Sequence, residues 1–558
     1  MFSLLRTIRF GLLAPGLILL HAGATFCAQN RNAEQSNSHD TKFKIAGTIV
    51  NALNGAPLGK ARVSIFDTSN RANSASMITS ENGHFEFPQL QAGKFSLQGA
   101  KRGFIPAAYD QHEQYSTAIV TGAGFDTESL VLRLTPLALL AGQIIDESGD
   151  PVRHARITLF RENHAGGLDR IIPAGNASTD DQGSYEFPSL APGNYFVSVA
   201  AKPWYAVHPV SSSADGTANP APGVAPSLDV AYPVTYYNGA TEADGATPIP
   251  VRGGDRLRID VHLSPVAALH LIFHVSDDRQ GFSWPVFQKR VFDSEENVQA
   301  EGVQPVAPGL YELTGVPAGK YIVRRRDPAT SQLLQSSEMD LARNGQELQE
   351  STSEPVGSAK LSVKLPRGDQ FPKQFSIALQ DSRRRMVAFR PIDTAGEVTF
   401  EDLPAGKYAV LVSSPAKPYS VVRSSSQGVE TPGHELNVTP GGSLDVAVFL
   451  AGGVVNLEGF AKRGEKPMAG AMVILVPKDP ESHQEMFRRD QSDSDGSFVL
   501  RGVIPGAYTI VAVEDAWGYA WLHPGVLSRY VQQGQNVTIG ELMEGSMHLP
   551  EPVEVQRR

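Results

Sequence analysis

One pattern of six positions recurs five times along this chain of 558 residues, always with the same spacing. A glycine is followed by Tyr, Phe or Val at +2, by Phe or Leu at +4, by Leu or Val at +7, by a second glycine at +10 and by Tyr or Phe at +12. Side chains at +2 and +4 share one face of a β-strand because side chains alternate with a period of two. The pattern therefore predicts a strand, a tight turn and a second strand in each copy. The repeated glycines are Gly83, Gly93, Gly183, Gly193, Gly309, Gly319, Gly396, Gly406, Gly496 and Gly506.

The two glycines of each copy are predicted to lie in turns. The leading glycine follows Asp-rich stretches such as 180–182 and 493–495, whose side chains cap backbone amides, and we expect it to adopt a positive φ. The +10 glycine follows Pro or Ala, and we expect a second turn at positive φ there. Close approach of a ligand to the backbone is the alternative reason for glycine at +10, and it would have to hold five times independently.

Short strands with frequent turn residues and no helical period predict an all-β fold, a tandem array of about five Ig-like β-sandwich domains. Successive copies start 87 to 126 residues apart, which is the size of one sandwich. We name the predicted sandwiches repeats 1 to 5. The predicted segments are 1–24 (signal peptide), 25–41 (flexible leader), 42–136 (repeat 1), 137–265 (repeat 2, with a loop insertion at 203–231), 266–353 (repeat 3), 354–450 (repeat 4) and 451–558 (repeat 5 with a C-terminal tail).

The N-terminus predicts export. Two arginines precede the apolar run 11–20, and the small residues at 22–24 match a signal-peptidase site. A membrane anchor is the alternative, but the run is short and contains Pro15. Cys27 is the only cysteine, so no intrachain disulfide forms, and the bulky Phe26 before it disfavours lipid attachment. We expect a periplasmic, cell-surface or extracellular protein with no membrane span after cleavage.

Further motifs flank the repeated pattern. They are Gly47-x-Ile49, Asn54-Gly55-x-Pro57-Leu58 and Ala61-x-Val63 in repeat 1, Gly149-x-Pro151-Val152 and Ala155-x-Ile157 in repeat 2, and Gly470-Ala471-x-Val473 in repeat 5. Together with the repeated pattern, these residues resemble the carboxypeptidase regulatory-like domain as it occurs in repeat proteins of bacteria. The resemblance implies prealbumin-like sandwiches of the carbohydrate-binding-like fold, related to collagen-adhesin modules. Repeats 3 and 4 keep only the second half of the motif and are weaker matches.

No pattern typical of an active site stands out. Gly-x-Ser-x-Gly, Walker-type and Gly-x-Gly-x-x-Gly patterns do not occur. His270 and His274 share one face of a predicted strand, and we expect both to face solvent. The acidic run Asp490-x-x-Asp493-x-Asp495 predicts a turn cap, with weak calcium binding as the alternative. We expect no catalytic residues, no metal and no cofactor, and therefore no enzyme.

The charge balance bears on the partners. The net charge is −10, so nucleic-acid binding is not expected. The arginine runs 324–326 and 383–385 are interpreted as solvated strand ends, with an acidic polymer as the alternative ligand. The expected partners are a polysaccharide or envelope proteins, and the expected form is a monomeric extended array.

Aromatic residues are the candidates for ligand binding. Trp517, Tyr519 and Trp521 alternate, so an extended segment would present three rings on one face, on which sugar rings stack. The alternative is that the rings cover the end of the last sandwich. A smaller second patch is predicted beside the long loop of repeat 2. The predicted ligand-binding residues are Trp517, Tyr519, Trp521, Trp204, Tyr205, Tyr236 and Tyr237.

Two classes of function remain from the sequence. The first is an exported, non-catalytic, multidomain binding protein of the cell envelope with carbohydrate as the leading ligand. The second is a structural spacer or adhesion stalk that makes protein contacts at the cell surface. Binding of soluble glycans by the chain separates the two.

Overall fold

The computed structural model describes residues 42–164, 166–209, 225–274, 285–298, 300–326, 333–348, 355–366, 368–382, 385–426 and 429–558. Residues 42–558 group into one compact unit. The predicted signal peptide and leader, including Cys27, lie outside the described residues, as does the centre of the insertion in repeat 2.

The chain is almost entirely β-structure, which confirms the predicted fold class. Strands β1 to β8 are Phe43–Asn51, Arg62–Asp67, Ser74–Ile78, His84–Leu90, Gly93–Ala100, Ala107–Ala108, Ile119–Thr121 and Leu130–Leu134. Strands β9 to β18 are Ala138–Ile145, Arg156–Asn163, Arg170–Ser178, Ser184–Leu190, Gly193–Ala200, Val230–Ala231, Thr235–Tyr236, Ile249–Val251, Arg256–Arg258 and Val261–His262. Strands β19 to β26 are Val266–His274, Val286–Val291, Ser294–Val298, Gly302–Ala307, Leu310–Pro317, Gly319–Arg326, Leu333–Leu341 and Gln346–Leu348.

The second half of the chain continues in the same way. Strands β27 to β35 are Gly357–Lys364, Ser376–Asp381, Met386–Pro391, Glu397–Leu403, Gly406–Ser413, Tyr419–Ser426, Val429–Pro432, Glu435–Val438 and Ser443–Gly452. Strands β36 to β44 are Val455–Arg463, Lys466–Pro467, Met472–Pro477, Arg488–Gln491, Ser497–Val503, Gly506–Val513, Gln535–Ile539, Gly545–His548 and Val553–Gln556. Short 3-10 turns lie at Pro226–Leu228, Ala243–Gly245 and Gln484–Met486, and the α-helix α1 spans Pro524–Val531. The sequence analysis did not predict this helix.

One pairing scheme recurs in all five repeats, including repeats 3 and 4. The first strand pairs antiparallel with the strand that carries +2 and +4, as β1 does with β4 and β36 with β40. The same first strand pairs in parallel with a late strand, as β1 does with β8 and β27 with β35. The second long strand pairs with the strand that starts at +10, as β2 does with β5. Each repeat thus has two layers whose inner faces meet.

Each repeat has its own hydrophobic core. The buried core residues lie at 45–134, 138–263, 269–348, 359–450 and 455–555. The +2 and +4 side chains lie in these cores, for example Phe85 and Phe87 in repeat 1 and Phe498 and Leu500 in repeat 5. The alternation of side chains therefore places the repeated apolar residues as the sequence predicts.

A β-bulge lies between +4 and +7 in every repeat. In repeat 1, Phe87 pairs with Ile45 and Leu90 pairs with Phe43. An advance of three residues along β4 therefore opposes an advance of two residues along β1. The same irregularity occurs at the other four copies. The extra residue shifts the alternation of side chains by one position, so the +7 side chain faces the same core as those at +2 and +4. Each bulge places the +6 residue at positive φ: Gln89 (64°), Ser189 (65°), Gly315 (81°), Asp402 (61°) and Gly502 (62°).

The two repeated glycines differ in conformation. The five leading glycines have φ between 70° and 81°, the left-handed conformation that the predicted turn requires. The +10 glycines each begin a strand. Gly193, Gly319 and Gly406 have φ of 155° to 158°, a positive φ that residues with a side chain rarely adopt, whereas positive φ is not recorded for Gly93 or Gly506. The expected positive φ at +10 therefore holds in three of the five copies, and the left-handed residue that all five copies share lies at +6.

The aromatic side chain at +12 lies near the +10 glycine. A Cβ atom at Gly93, Gly319 or Gly406 would be at an ordinary contact distance of 3.5 to 4.0 Å from this ring, whereas at Gly506 it would lie 2.8 Å from Cε of Met486 and 3.3 Å from the ring of Tyr508. That ring folds back over the turn, and its hydroxyl donates a hydrogen bond of 2.6 Å to the carbonyl oxygen of Ile504 at +8. The +12 tyrosines of repeats 2, 3 and 4 bond to the +8 carbonyl in the same way.

Candidate functional site at the contacts between repeats

The segment that carries Trp517, Tyr519 and Trp521 is not extended. It forms turns between the end of β41 and the start of α1. The side chains of Trp517 and Trp521 are each only 8% exposed. The exposed platform of three rings is therefore not formed, because the chain turns at each step and the two indoles pack inward against other repeats.

Trp517 joins repeat 5 to repeat 1. Its indole stacks on the imidazole of His112 with ring centroids 5.1 Å apart and planes 8° apart. The ring of Tyr115 lies 5.6 Å from it on the same side of the contact. The indole nitrogen donates a hydrogen bond of 3.2 Å to the carbonyl oxygen of Gly470, so the polar atom of this buried ring is satisfied.

Trp521 packs against repeat 2. A Cβ atom at Gly167 would lie 2.4 Å from the indole, so the backbone there contacts the ring as only glycine allows. The amide of Leu522 donates a hydrogen bond of 2.8 Å to the carbonyl oxygen of Gly167. The guanidinium of Arg489 lies over the other part of the indole, 4.3 Å from the ring centroid. Tyr519 lies apart from this contact and faces Tyr530 of α1, with 3.5 Å between the hydroxyl oxygens.

Arg489 and Gln491 of β39 form the polar centre of the contact with repeat 1. Arg489 pairs with the carboxylate of Glu113. The amide nitrogen of the buried Gln491 donates a hydrogen bond of 2.8 Å to the Thr117 hydroxyl, and its oxygen lies 3.2 Å from Nδ1 of His112. Polar side chains buried between two sandwiches are thus paired across the contact.

The acidic turn of repeat 5 also docks on repeat 1. The carboxylate of Asp493 accepts hydrogen bonds from Nζ of Lys94 (2.7 Å) and from the amide of Ala118 (3.0 Å). The amide of Ser494 donates to the carbonyl oxygen of Ala118 at 3.0 Å. In repeat 2 the equivalent Asp180 instead caps amides of its own turn. The turn-cap interpretation therefore holds for Asp180, while Asp493 has become an interface residue.

Asp490 differs from the other acids of this run. Its carboxylate accepts a hydrogen bond of 2.7 Å from the amide of Val499. Burial raises its pKa to about 6, and the nearby Asp493 adds to the rise. Burial also raises the pKa of Asp493, against the lowering effect of Lys94. Repeat 1 contributes to the burial of Asp493, whose carboxylate contacts Lys94 and Ala118, whereas Asp490 bonds within repeat 5.

These contacts correct the expectation of an extended array. Repeat 1 touches repeat 5 through Glu113 and Arg489 and through Lys94 and Asp493. In an extended array, the first and last members lie farthest apart. The polar side chains of β39 and of the acidic turn instead bring the two ends of the array together.

The second predicted patch is divided between two environments. Trp204 is 85% exposed and meets Tyr205 edge to face at 5.9 Å. The Tyr205 hydroxyl donates to the carboxylate of Glu147, and burial together with this bond raises its pKa to about 12. Tyr236 is fully buried in a cluster between repeats 2 and 3, and Tyr237 packs on the core of repeat 2. Only Trp204 offers the exposed ring that the prediction requires.

His270 is buried, which corrects the expectation that it faces solvent. Only 4% of its surface is exposed. Its Nε2 lies 2.7 Å from Asp229 and its Nδ1 lies 2.9 Å from Glu312. Hydrogen bonds to the two carboxylates outweigh burial and raise the pKa of the imidazole, which favours its protonated form. His274, at the end of the same strand, is exposed and pairs with Glu347 at 2.6 Å.

One arginine of each basic run, Arg324 and Arg385, forms ion pairs. Glu295 accepts from Arg324 at 2.9 Å and from Arg385 at 3.0 Å, which joins repeat 3 to repeat 4. Arg385 also pairs with Asp381 at 2.7 Å. Arg383 and Arg384 lie outside the described residues. For Arg324 and Arg385, the interpretation as solvated strand ends is wrong because Glu295 binds both, within repeat 3 for Arg324 and across the contact between repeats 3 and 4 for Arg385.

The sequence analysis missed the residues that pair across the repeats. Arg489, Gln491, Glu113 and His112 carry no motif, and their partners lie hundreds of residues away. Gly470 is a weak sequence signal for this contact between repeats, because a Cβ atom there would lie 2.3 Å from the carboxylate of Asp110. That approach depends on how the repeats pack, which no local pattern records.

Comparison with known proteins gives one relative and several solved structures. Colossin-A of Dictyostelium discoideum is 22% identical over 501 residues, which is 80% of this chain and 4% of that protein. The chain thus spans a small fraction of the length of this relative. The Bacillus anthracis TIE protein is 12% identical with a TM-score of 0.16, over 75% of this chain and 76% of that one. Two B repeats of the collagen-binding protein of Staphylococcus aureus are 10% identical with a TM-score of 0.12, over 73% of this chain and all of that one.

Likenesses at such TM-scores say nothing about what this chain does. The sequence profile of the carboxypeptidase regulatory-like domain family is more specific, and it matches residues 44–129 and 140–220. These ranges fall in repeats 1 and 2, where the flanking motifs were complete. In both ranges the leading glycine lies at positive φ and the bulge follows it. Residues 44–129 and 140–220 are therefore two copies of the carboxypeptidase regulatory-like domain.

Proposed function

We propose that this chain is an exported, non-catalytic structural protein of the cell envelope that makes protein contacts through a closed assembly of β-sandwiches. The observation that carries the proposal is the contact between repeats 1 and 5. It contains a buried ion pair, a stacked indole and a docked turn. A flexible string of binding modules needs none of these contacts, whereas a rigid body that presents several faces at once depends on them.

Further contacts between neighbouring repeats support the same proposal. Phe292 of repeat 3 packs edge to face on Phe160 and Tyr236 of repeat 2. Glu295 of repeat 3 binds Arg385 of repeat 4 and also binds Arg324 of its own repeat. Aromatic and charged side chains that a ligand would need on the surface are used between repeats. Among the described residues, no helix is both long and apolar enough to span a bilayer.

Carbohydrate binding is the second candidate, and Trp204 favours it. This ring is 85% exposed and stands beside Tyr205, whose hydroxyl is held by Glu147. An exposed indole next to a fixed tyrosine is suited to stacking on one sugar ring. The site is much smaller than the platform first predicted around Trp517.

Small-angle X-ray scattering on the full mature chain tests the structural proposal. We expect a compact particle whose radius of gyration rises when Arg489→Glu breaks the contact between repeats 1 and 5. An extended particle for the unaltered chain would contradict the proposal.

A glycan array tests the second candidate, with the unaltered chain compared with Trp204→Ala, a variant in which the buried Tyr236 is unchanged. Retention of a glycan that Trp204→Ala abolishes would favour carbohydrate binding instead.

A further inference from the structure

Two histidines and one glutamate meet between repeats 4 and 5. One ligand atom from each of His434, His483 and Glu485 lies within 4.8 Å of the other two. The two imidazole rings are 6.1 Å apart between centroids and are inclined by 51°. All three side chains are partly buried. The cluster lies outside every contact described above, and neither the resemblance nor the proposed function involves it.

The backbone fixes each of the three residues. His434 follows Gly433, whose φ is 93°, in the turn between β33 and β34, and its carbonyl oxygen accepts a hydrogen bond of 2.8 Å from the amide of Val410. His483 and Glu485 lie at the start of the 3-10 turn Gln484–Met486, which is anchored by the buried side chain of Met486. The cluster is therefore held by an ordered turn of each repeat.

The hydrogen-bonding capacity of the cluster is incompletely used. Nδ1 of His434 and Nδ1 of His483 are buried and have no hydrogen-bond partner among the described residues. Nδ1 of His483 lies 3.5 Å from the carboxylate of Glu485, too far for a good hydrogen bond. Buried polar nitrogens are nearly always paired in proteins, so two of them beside one carboxylate indicate an absent partner.

We propose that His434, His483 and Glu485 bind a divalent transition-metal ion, of which Zn²⁺ is the probe of choice, and that the ion links repeat 4 to repeat 5. Two imidazoles and one carboxylate are a common protein ligand set for zinc, with a fourth position left to water. Bond lengths near 2.0 Å place tetrahedral ligand atoms roughly 3.3 Å apart. Small changes in the side-chain torsion angles, which move each ligand atom by about 1 Å, bring the ligand atoms to that spacing.

The ligand types distinguish this ion from calcium and magnesium. Those ions require mainly oxygen ligands, and the cluster offers one carboxylate beside two imidazole nitrogens. The Glu485 carboxylate also accepts a hydrogen bond from the hydroxyl of Ser420 in repeat 4, which orients it toward the histidines. The proposed site is an exception to the sequence-based expectation that the chain binds no metal.

Titration of the full chain with ZnCl₂ by calorimetry tests the proposal. We expect one equivalent to bind, and His434→Ala, His483→Ala and Glu485→Gln each to weaken binding at least about ten-fold. His548→Ala is the matched control, because His548 also lies near a glutamate of repeat 5 but is exposed. We expect it to bind zinc like the unaltered chain.

Two measurements keep the test independent of variant folding. Co²⁺ added to the unaltered chain should give the visible absorption of a tetrahedral site, and ZnCl₂ should displace it. ZnCl₂ should also raise the melting temperature of the unaltered chain and of His548→Ala, and should leave that of His434→Ala unchanged. Absence of stoichiometric binding by the unaltered chain would overturn the proposal, and so would a zinc affinity of His434→Ala and His483→Ala equal to that of the unaltered chain.

Discussion

Arg489 and Glu113, which are 376 residues apart in the sequence, form a two-contact ion pair between repeat 5 and repeat 1, with N–O distances of 2.7 and 3.3 Å. The side chain of Arg489 is 4% exposed and that of Glu113 is 13% exposed. The guanidinium also lies over the ring of Trp521. Because the charges are shielded from water, the loss of either partner leaves the other buried and unpaired.

Arg489→Glu should therefore separate repeats 1 and 5. Removing one partner of a buried ion pair typically costs about 3–5 kcal/mol, and the variant also places two carboxylates face to face. We expect a lower melting temperature and a larger radius of gyration. The double variant Arg489→Glu with Glu113→Arg should recover part of the loss.

The control is Arg463→Glu, which breaks a half-exposed ion pair of 2.7 Å with Glu514 inside repeat 5. Exposed pairs contribute about 1 kcal/mol or less, so we expect little change. An equal effect of Arg463→Glu and Arg489→Glu on stability and on particle size would contradict the importance assigned to the contact between repeats.

Asp490→Asn should stabilise the chain at neutral pH. Burial raises the pKa of Asp490 from 3.8 to about 6, so the folded state disfavours the charged carboxylate. The destabilisation begins as pH rises above 3.8 and is complete above about 6. At pH 7 the gain from removing the charge is roughly 3 kcal/mol, while the asparagine oxygen still accepts the Val499 amide.

Thermal melts at pH 7 and pH 4 measure this gain, which should nearly vanish at pH 4. Asp393→Asn is the matched control, because Asp393 caps its own turn and is exposed. A decrease in stability of Asp490→Asn at both pH values would show that the carboxylate stabilises the fold.

His270 should make stability fall with rising pH. Burial lowers its pKa, but hydrogen bonds to Glu312 and Asp229 outweigh burial and raise the pKa above 6.5. A group with a raised pKa stabilises the fold fully below its unfolded pKa, and this contribution is lost as pH rises through the folded pKa. Asp229 also pairs with His208 at 2.9 Å, and the amide of His270 donates to Asn344.

Chemical unfolding between pH 6 and pH 9 measures this dependence. We expect His270→Gln to be less stable than the unaltered chain at pH 6 and to lack most of the decline toward pH 9. His274→Gln, on the same strand but exposed, should keep the decline. A decline in stability of equal size in His270→Gln would show that other groups cause the pH dependence.

The sequence predicted the cores because their rule is local. The side chains at +2 and +4 face inward by alternation alone, as Phe85 and Phe87 do. Four of the five leading glycines were predictable because Asp or Asn residues mark the turn, and Gly309 follows Pro308 instead. The bulge was not, since Gln89 and Ser189 hold a left-handed conformation that neither residue type indicates.

The contacts between repeats could not be predicted for a different reason. The alternation of Trp517 with Trp521 places the rings on one face only in an extended segment, and this segment turns. Glu113 and Arg489 meet because five repeats pack together, and no spacing within a repeat encodes that arrangement. The predicted boundaries between repeats stay predictions, which limited proteolysis tests.

The +6 position of the bulge gives the last prediction. Ser189 has a φ of 65°, a conformation that costs a non-glycine residue about 1–2 kcal/mol. Ser189→Gly removes this strain but adds flexibility to the unfolded chain, which offsets roughly 0.5–1 kcal/mol. We expect a net gain of up to about 1 kcal/mol in the free energy of unfolding, measured by denaturant titration.

Gly315→Ala is the converse substitution at the same position of repeat 3. Its φ is 81°, and a Cβ atom would lie 2.3 Å from the Cβ of Glu301, so strain and collision both destabilise the variant. Gly406→Ala at +10 should cost less, because the nearest ring atom would be 4.0 Å from the added Cβ, which leaves the strain of a φ of 158° without a collision. A greater loss in Gly406→Ala than in Gly315→Ala would show that backbone strain at +10 outweighs strain and collision together at the bulge.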